Sequence, residues 1–176
     1  ACVAQTLKLF AANPRWMGVS GGQAAFSLVL HTWSQDLSLH VHLHALMACG
    51  VLDARGYWQR PARSANFLFP VQALSRVFRG KFMAALRERQ RAAQGLGAQP
   101  TDASLGREEM KALYHHDWVV YAKTPLGGAE QVLAYLGRYT HRTAIGNERI
   151  KAITGQGEVV FSVRADAHGG KRLVRL

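Results

Sequence analysis

The run Leu39-His40-Val41-His42-Leu43-His44-Ala45 alternates apolar residues with histidines at period two, a pattern that suits a β-strand and no helix. Successive strand side chains point to opposite faces, so Leu39, Val41, Leu43 and Ala45 share one face and His40, His42 and His44 the other. Several imidazoles crowded on one face need a metal, an acid or solvent, because buried ring nitrogens without partners are costly. His31 ends the preceding apolar run Ala24–His31, whose β-branched and aromatic residues predict a neighbouring strand. Of eight histidines in 176 residues, four lie between His31 and His44, where even scatter would put fewer than one. A lone histidine on such a face is ordinarily a hydrogen-bonded core residue, and His40 by itself is read that way. The set of His42, His44 and His31 is read as three legs around a divalent cation, with His42 and His44 as the first pair. Imidazole suits Zn, Mn, Ni or Co better than Mg, whereas phosphate chemistry is usually served by Mg or Mn.

Charge narrows the partner. The chain carries 22 Lys+Arg against 11 Asp+Glu, a net charge of +11, with 48% apolar residues. That is a packed globular protein with a positive surface, and nucleic acid is the polyanion whose phosphates best reward lysine and arginine. No apolar run of 18 residues is present, so no membrane partner or span is expected. Two cysteines, Cys2 and Cys49, are too few and too distant for a zinc knuckle or a disulfide framework, which favours a reducing cytoplasmic setting.

Along the chain, a helix around Thr6–Phe10 closes before Asn13-Pro14. A strand pair follows over Ala24–His31 and Leu39–Cys49, then turn chemistry at Asp53–Gly56 and a returning strand at Tyr57-Trp58. Leu74, Val77, Phe78, Phe82, Ala85 and Leu86 recur at helical spacing between Pro70 and Arg91, and Gly95–Gly106 is expected to be a loop. A strand at Trp118–Ala122 and a helix from Ala129 to His141 come next. A closing hairpin of Val159–Val163 and Leu173-Val174 turns at Gly169-Gly170. This order suits an α+β fold, with a central antiparallel sheet and helices packed mainly on one face.

On the Ala129–His141 helix, Tyr135 and Tyr139 stand one turn apart on the same side. A phenol oxygen beside a metal-bound phosphodiester can attack phosphorus and hold the cut strand as a phosphotyrosine. Val132, Tyr135, Leu136 and Tyr139 also make an ordinary apolar stripe. The histidine strand together with Arg138, His141 and Arg142 tips the balance towards catalysis. A basic groove including Arg76, Arg79, Lys81, Arg138 and Arg142 is expected to hold the nucleic acid. A non-cutting DNA-binding module of the same fold is the first rival, and a zinc-dependent hydrolase using the three histidines the second.

The segments Leu28-Val29-Leu30-His31-Thr32-Trp33, His40–Leu46, Phe67–Pro70, Leu74–Phe82, Trp118–Gly128 and Leu133–Arg142 together resemble the two-tyrosine transposases of rolling-circle insertion sequences. That family belongs to the HUH endonucleases, and the matching triplet is His42-Leu43-His44. The resemblance runs from Phe26 to about Lys171. It implies a ferredoxin-like palm forming one catalytic domain over 1–176, Tyr135 and Tyr139 as nucleophiles, and His42 and His44 as ligands of Mg or Mn. His31 is the third ligand, with Gln35 and Gln131 as alternatives. The implied activity is single-strand nicking and strand transfer through a 5′-phosphotyrosine, in DNA transposition and recombination. The tyrosines follow the histidines, the reverse of the relaxase order, which places the resemblance on the transposase or replication-initiator branch. Such proteins carry an amino-terminal zinc ribbon that Cys2 and Cys49 cannot build, so the chain is expected to be a catalytic core without that ribbon and without a carboxy-terminal tail.

Overall fold

A computed structural model describes residues 1–61, 68–95, 105–140, 144–165 and 169–176, apart from the side chains of 138–140. In chain order the elements are α1 (Cys2–Ala11), α2 (Pro14–Met17), β1 (Phe26–Trp33), β2 (Leu39–Met47), β3 (Val51–Leu52), β4 (Trp58–Gln59), α3 (Val71–Gly95), α4 (Arg107–His115), α5 (Ala129–Thr140), a 3-10 turn (Asn147–Arg149), β5 (Ile150–Ile153), β6 (Val159–Arg164) and β7 (Lys171–Arg175). The fold is α+β with antiparallel pairing, as expected. In place of the one central sheet predicted, the described strands form three ladders, β1-β2, β3-β4 and β5-β6-β7. None of the described helices is long and apolar enough to cross a membrane.

The chain divides into two compact units, each made of two segments. The first comprises Ala1–Phe26 and Met47–Pro125. Its α1 buries Thr6, Leu7, Phe10 and Ala11, an i, i+1, i+4, i+5 stripe. Phe10 stacks on Trp16 and meets Phe69 edge-on with ring centroids 5.2 Å apart, and Met17 and Val51 close the cluster. Asn13 caps α2 by accepting from the Arg15 N–H, Pro14 takes the first turn, and Gly18 ends it at φ 74°. Gly50 has no room for a side chain, since a Cβ there would sit 2.3 Å from the Trp58 ring. The predicted Asp53–Gly56 turn is present: the Asp53 carboxylate accepts the Arg55 and Tyr57 N–H groups, joining β3 to β4. Those bonds and one from Gln59 hold its pKa below the ordinary carboxylate value.

The long helix α3 runs where its spacing predicts, yet its fully buried residue is Met83, outside the expected stripe. The expected strand at Trp118–Ala122 is not one. Trp118 packs on Phe78 and Phe82, donates its indole N–H to the Leu113 carbonyl and accepts the Ser75 hydroxyl on its own carbonyl at 2.5 Å. Those contacts lay the segment along α3, and Val119 and Tyr121 remain 92% and 80% exposed. Alternation there reflects one anchored ring rather than a ladder. The helix α4 was not anticipated, although its start carries a signal: Glu108 and Glu109 occupy the first turn, and Glu109 accepts the Gly106 N–H. Most of the Gly95–Gly106 loop lies outside the described residues.

The second unit comprises Ser27–Leu46 and Leu126–Leu176. It holds α5, most of the β1-β2 hairpin and the β5-β6-β7 sheet, in which Phe161 pairs with both Ile150 and Val174. Phe161 and Val163 are its buried apolar centre. The strand β5 was not anticipated, being four exposed residues with no alternation.

Met83→Ala removes a side chain with no exposed surface and is expected to destabilise the first unit by about 2–4 kcal/mol. Urea denaturation checks this, with Phe82→Ala, at a 38% exposed position, costing distinctly less.

Candidate functional site

The β1-β2 hairpin carries the site. Its turn is built on Asp36, whose carboxylate accepts the Ser34 hydroxyl and the Ser38 hydroxyl and N–H, while Leu37 takes a left-handed φ of 66°. The Ser34 hydroxyl, then Ser38, holds the Asp36 carboxyl well below the ordinary carboxylate range. The turn is also tied to the β5-β6-β7 sheet. Arg149 donates to the Gln35 carbonyl and to the Ser162 carbonyl, Gln35 Oε1 accepts the Arg164 N–H at 3.2 Å, and Arg172 lies 3.6 Å from Asp36.

Held this way, the two strands bring His31, His42 and His44 together. One ring nitrogen from each lies within 4.8 Å of the others. His31 is 8% exposed and stacked on Trp33, and the other two are half-buried. His42 donates Nδ1–H to the His40 carbonyl at 2.9 Å, which leaves the Nε2 lone pair for a ligand. Burial, then the neighbouring His31 and His42, pushes the His44 pKa below its ordinary value, so this imidazole is neutral at neutral pH. Imidazole nitrogens converging without a carboxylate among them are a fitting donor set for a divalent cation with further positions open to substrate oxygens. His40 is exposed and outside the group.

Both glutamine alternatives are occupied elsewhere. Gln35 accepts from Arg164, and Gln131 Oε1 accepts the Gly127 N–H at 2.8 Å, at the start of α5.

The burial of β2 inverts the usual order. Leu39, Val41 and Leu43 are 85%, 64% and 37% exposed, and the face bearing His42 and His44 is the more covered one. Tyr135 of α5 stands against that face, with its Oη 3.5 Å from His44 Nδ1. Tyr139 and Arg138 lie on α5, with side chains outside the described residues, as is the whole of Arg142. Of the other basic candidates, Arg76 is exposed on α3, Arg79 lies over the Tyr114 ring at 4.8 Å, and the Lys81 carbonyl accepts the Cys2 thiol. All three belong to the first unit. The Arg149 and Gln35 contacts escaped the sequence reading because they join residues more than a hundred positions apart and leave no local pattern.

Comparison with known proteins adds an independent line. A family model described as "Putative transposase" matches residues 25–176. "Putative transposase y4qJ" of Sinorhizobium fredii is 39% identical over 178 residues, covering 97% of this chain and 43% of the relative. The chain thus spans less than half the length of that curated relative. No solved structure matches it.

The lowered His44 pKa has a pH consequence. Between the ordinary imidazole value near 6.5 and the lower folded value, the unfolded chain binds more protons than the folded one. Its contribution is therefore complete above pH 6.5 and is lost as pH falls from there through the folded value. Urea melts of chelator-treated protein from pH 7.5 to 5 should show stability falling with acid, and His44→Gln should flatten that slope.

Proposed function

Because the chain belongs to the transposase family which that model describes, we propose that it nicks single-stranded DNA and transfers the cut strand through a 5′-phosphotyrosine on Tyr135. The observation that carries this reading is the Tyr135 phenol 3.5 Å from His44, within a cluster of three converging imidazoles. His31, His42 and His44 would hold the cation, and of Mg and Mn the nitrogen donors suit Mn better. Such an ion, when bound, polarises the scissile phosphate and offsets charge growing on its oxygens.

The chain's own groups supply the rest. Were His44 to hold the cation through Nε2, its proton would sit on Nδ1, facing the phenol, and a hydrogen bond from it would favour phenolate character at Tyr135 Oη. The phenol oxygen bonds to phosphorus, and the bond from phosphorus to the 3′-oxygen breaks. The phenol proton passes to solvent and the departing oxygen takes one up as a 3′-hydroxyl. The phosphodiester energy stays in the tyrosyl ester, so rejoining needs no outside energy source. Tyr139, one turn on, is the second nucleophile of the reading. Arg138, Arg142, Arg76, Arg79 and Lys81 are its phosphate contacts, and the wet apolar side of β2 is consistent with a strand arranged for its histidine face rather than for stability.

A labelled single strand carrying an element's end, incubated with the chain and Mn, should give an adduct that survives denaturing gel electrophoresis. Tyr135→Phe should reduce it at least 100-fold, and His42→Ala comparably. Absence of any adduct with the unaltered chain overturns the nicking reading.

A further inference from the structure

The helices α3 and α4 enclose a concavity of about 460 Å³ lined by Arg87, Gln90, Arg107, Met110, Lys111 and Tyr114. It lies wholly within the first unit, whereas His31, His42 and His44 belong to the second. On α4, Arg107, Met110, Lys111 and Tyr114 fall at i, i+3, i+4 and i+7, the side by which a helix ordinarily packs its apolar stripe on a neighbour. Here Met110 alone is buried, and cations flank it. Among the described residues, the ion pairs involve Asp36 and Glu158, so none of the three groove cations has a carboxylate within 4.0 Å. Glu109, between the lining residues Arg107 and Met110 in sequence, is turned on to the Gly106 N–H. Gln90 spends its amide on the Leu105 carbonyl. Tyr114, with the Arg79 guanidinium over its ring and the His115 ring perpendicular to it at 5.7 Å between centroids, is still 42% exposed.

Arg107 is informative because helix stability does not account for it. It occupies the first residue of α4, where the helix dipole disfavours a cation and where Glu108 and Glu109 are the suitable residues. Three cations without a carboxylate partner among the described residues, beside a partly exposed aromatic ring, form the combination that holds a single strand, phosphates on the cations and a base against the ring.

We propose that the α3–α4 groove is a second single-stranded DNA contact, with Arg87, Arg107 and Lys111 on phosphates and Tyr114 stacking a base. It rests on the reading that this chain acts on DNA, yet it does not require cutting. The test uses the full chain with chelator and a fluorescent oligo-dT, read by anisotropy across a salt series. Arg107→Gln with Lys111→Gln should weaken binding about tenfold, and the slope of log K on log salt should flatten by about 1.4, from roughly 0.7 per lost phosphate contact. Its Tm should stay unchanged or rise slightly, because a cation leaves the α4 amino terminus. Arg89→Gln with Arg91→Gln removes the same charge outside the groove and should change binding less than about threefold. Tyr114→Leu should weaken dT about fivefold or more and an abasic strand far less. Equal losses from both double variants, no loss from the groove variant, no binding at all, or equal competition by a duplex of the same length would each overturn the proposal. A covalent adduct formed normally by the groove variant, with unchanged binding, removes the groove and leaves nicking intact. Groove-dependent binding without any adduct does the reverse.

Discussion

The anchoring of one hairpin turn is what the histidine geometry depends on. The Ser34–Ser38 turn is closed internally by Asp36 and fastened externally by Arg149 of the 3-10 turn and by Arg164 and Arg172 of the β5-β6-β7 sheet. A two-stranded ribbon by itself is marginally stable and free to twist. Bonds to both the backbone and the side chain of Gln35 remove that freedom, and the strands beyond the turn then present His31, His42 and His44 at mutual distances short enough for one ion. The Arg172–Asp36 pair is exposed and contributes little energy in itself. Its value is directional, as one of several contacts that agree on a single placement of the turn.

Stability and site chemistry pull in opposite directions on β2. A strand optimised for folding would cover Leu39, Val41 and Leu43 and leave the imidazoles in water. The opposite holds here, and the cost appears in the His44 pKa, displaced by burial and by two neighbouring imidazoles. A bound cation would offset the latter by occupying the lone pairs that crowd the site. The α3–α4 groove shows a similar departure, with cations in the positions of a packing stripe and Arg107 against the helix dipole. Residues that break local rules without a local compensation are where interaction with something outside the chain is the natural explanation.

Much was legible in the residues. Period-two alternation determined that His42 and His44 share a strand face, 3.6-residue periodicity determined α3 and α5, and turn chemistry determined the Asp53–Gly56 corner. Where local pattern misled, tertiary contact had overruled it. Trp118–Ala122 alternates like a strand, but one indole wedged against Phe78 and Phe82 decides its course. Met83, absent from the predicted stripe, is the fully buried residue of α3, because which flank of a helix is covered depends on its neighbours.

The histidine site divides in the same way. The residue types, their spacing and the one-turn interval between Tyr135 and Tyr139 are properties of the chain alone, since strand and helix periods are set by backbone geometry. That His31 rather than Gln35 or Gln131 joins His42 and His44, and that Tyr135 approaches His44, was decided by folding. Gln131 is claimed locally, by the Gly127 N–H four residues away, but the other choices depend on contacts spanning 91 to 129 positions, among them the Arg164 N–H on Gln35. Such contacts have no local energetic signature, because they exist only after the intervening chain has been ordered.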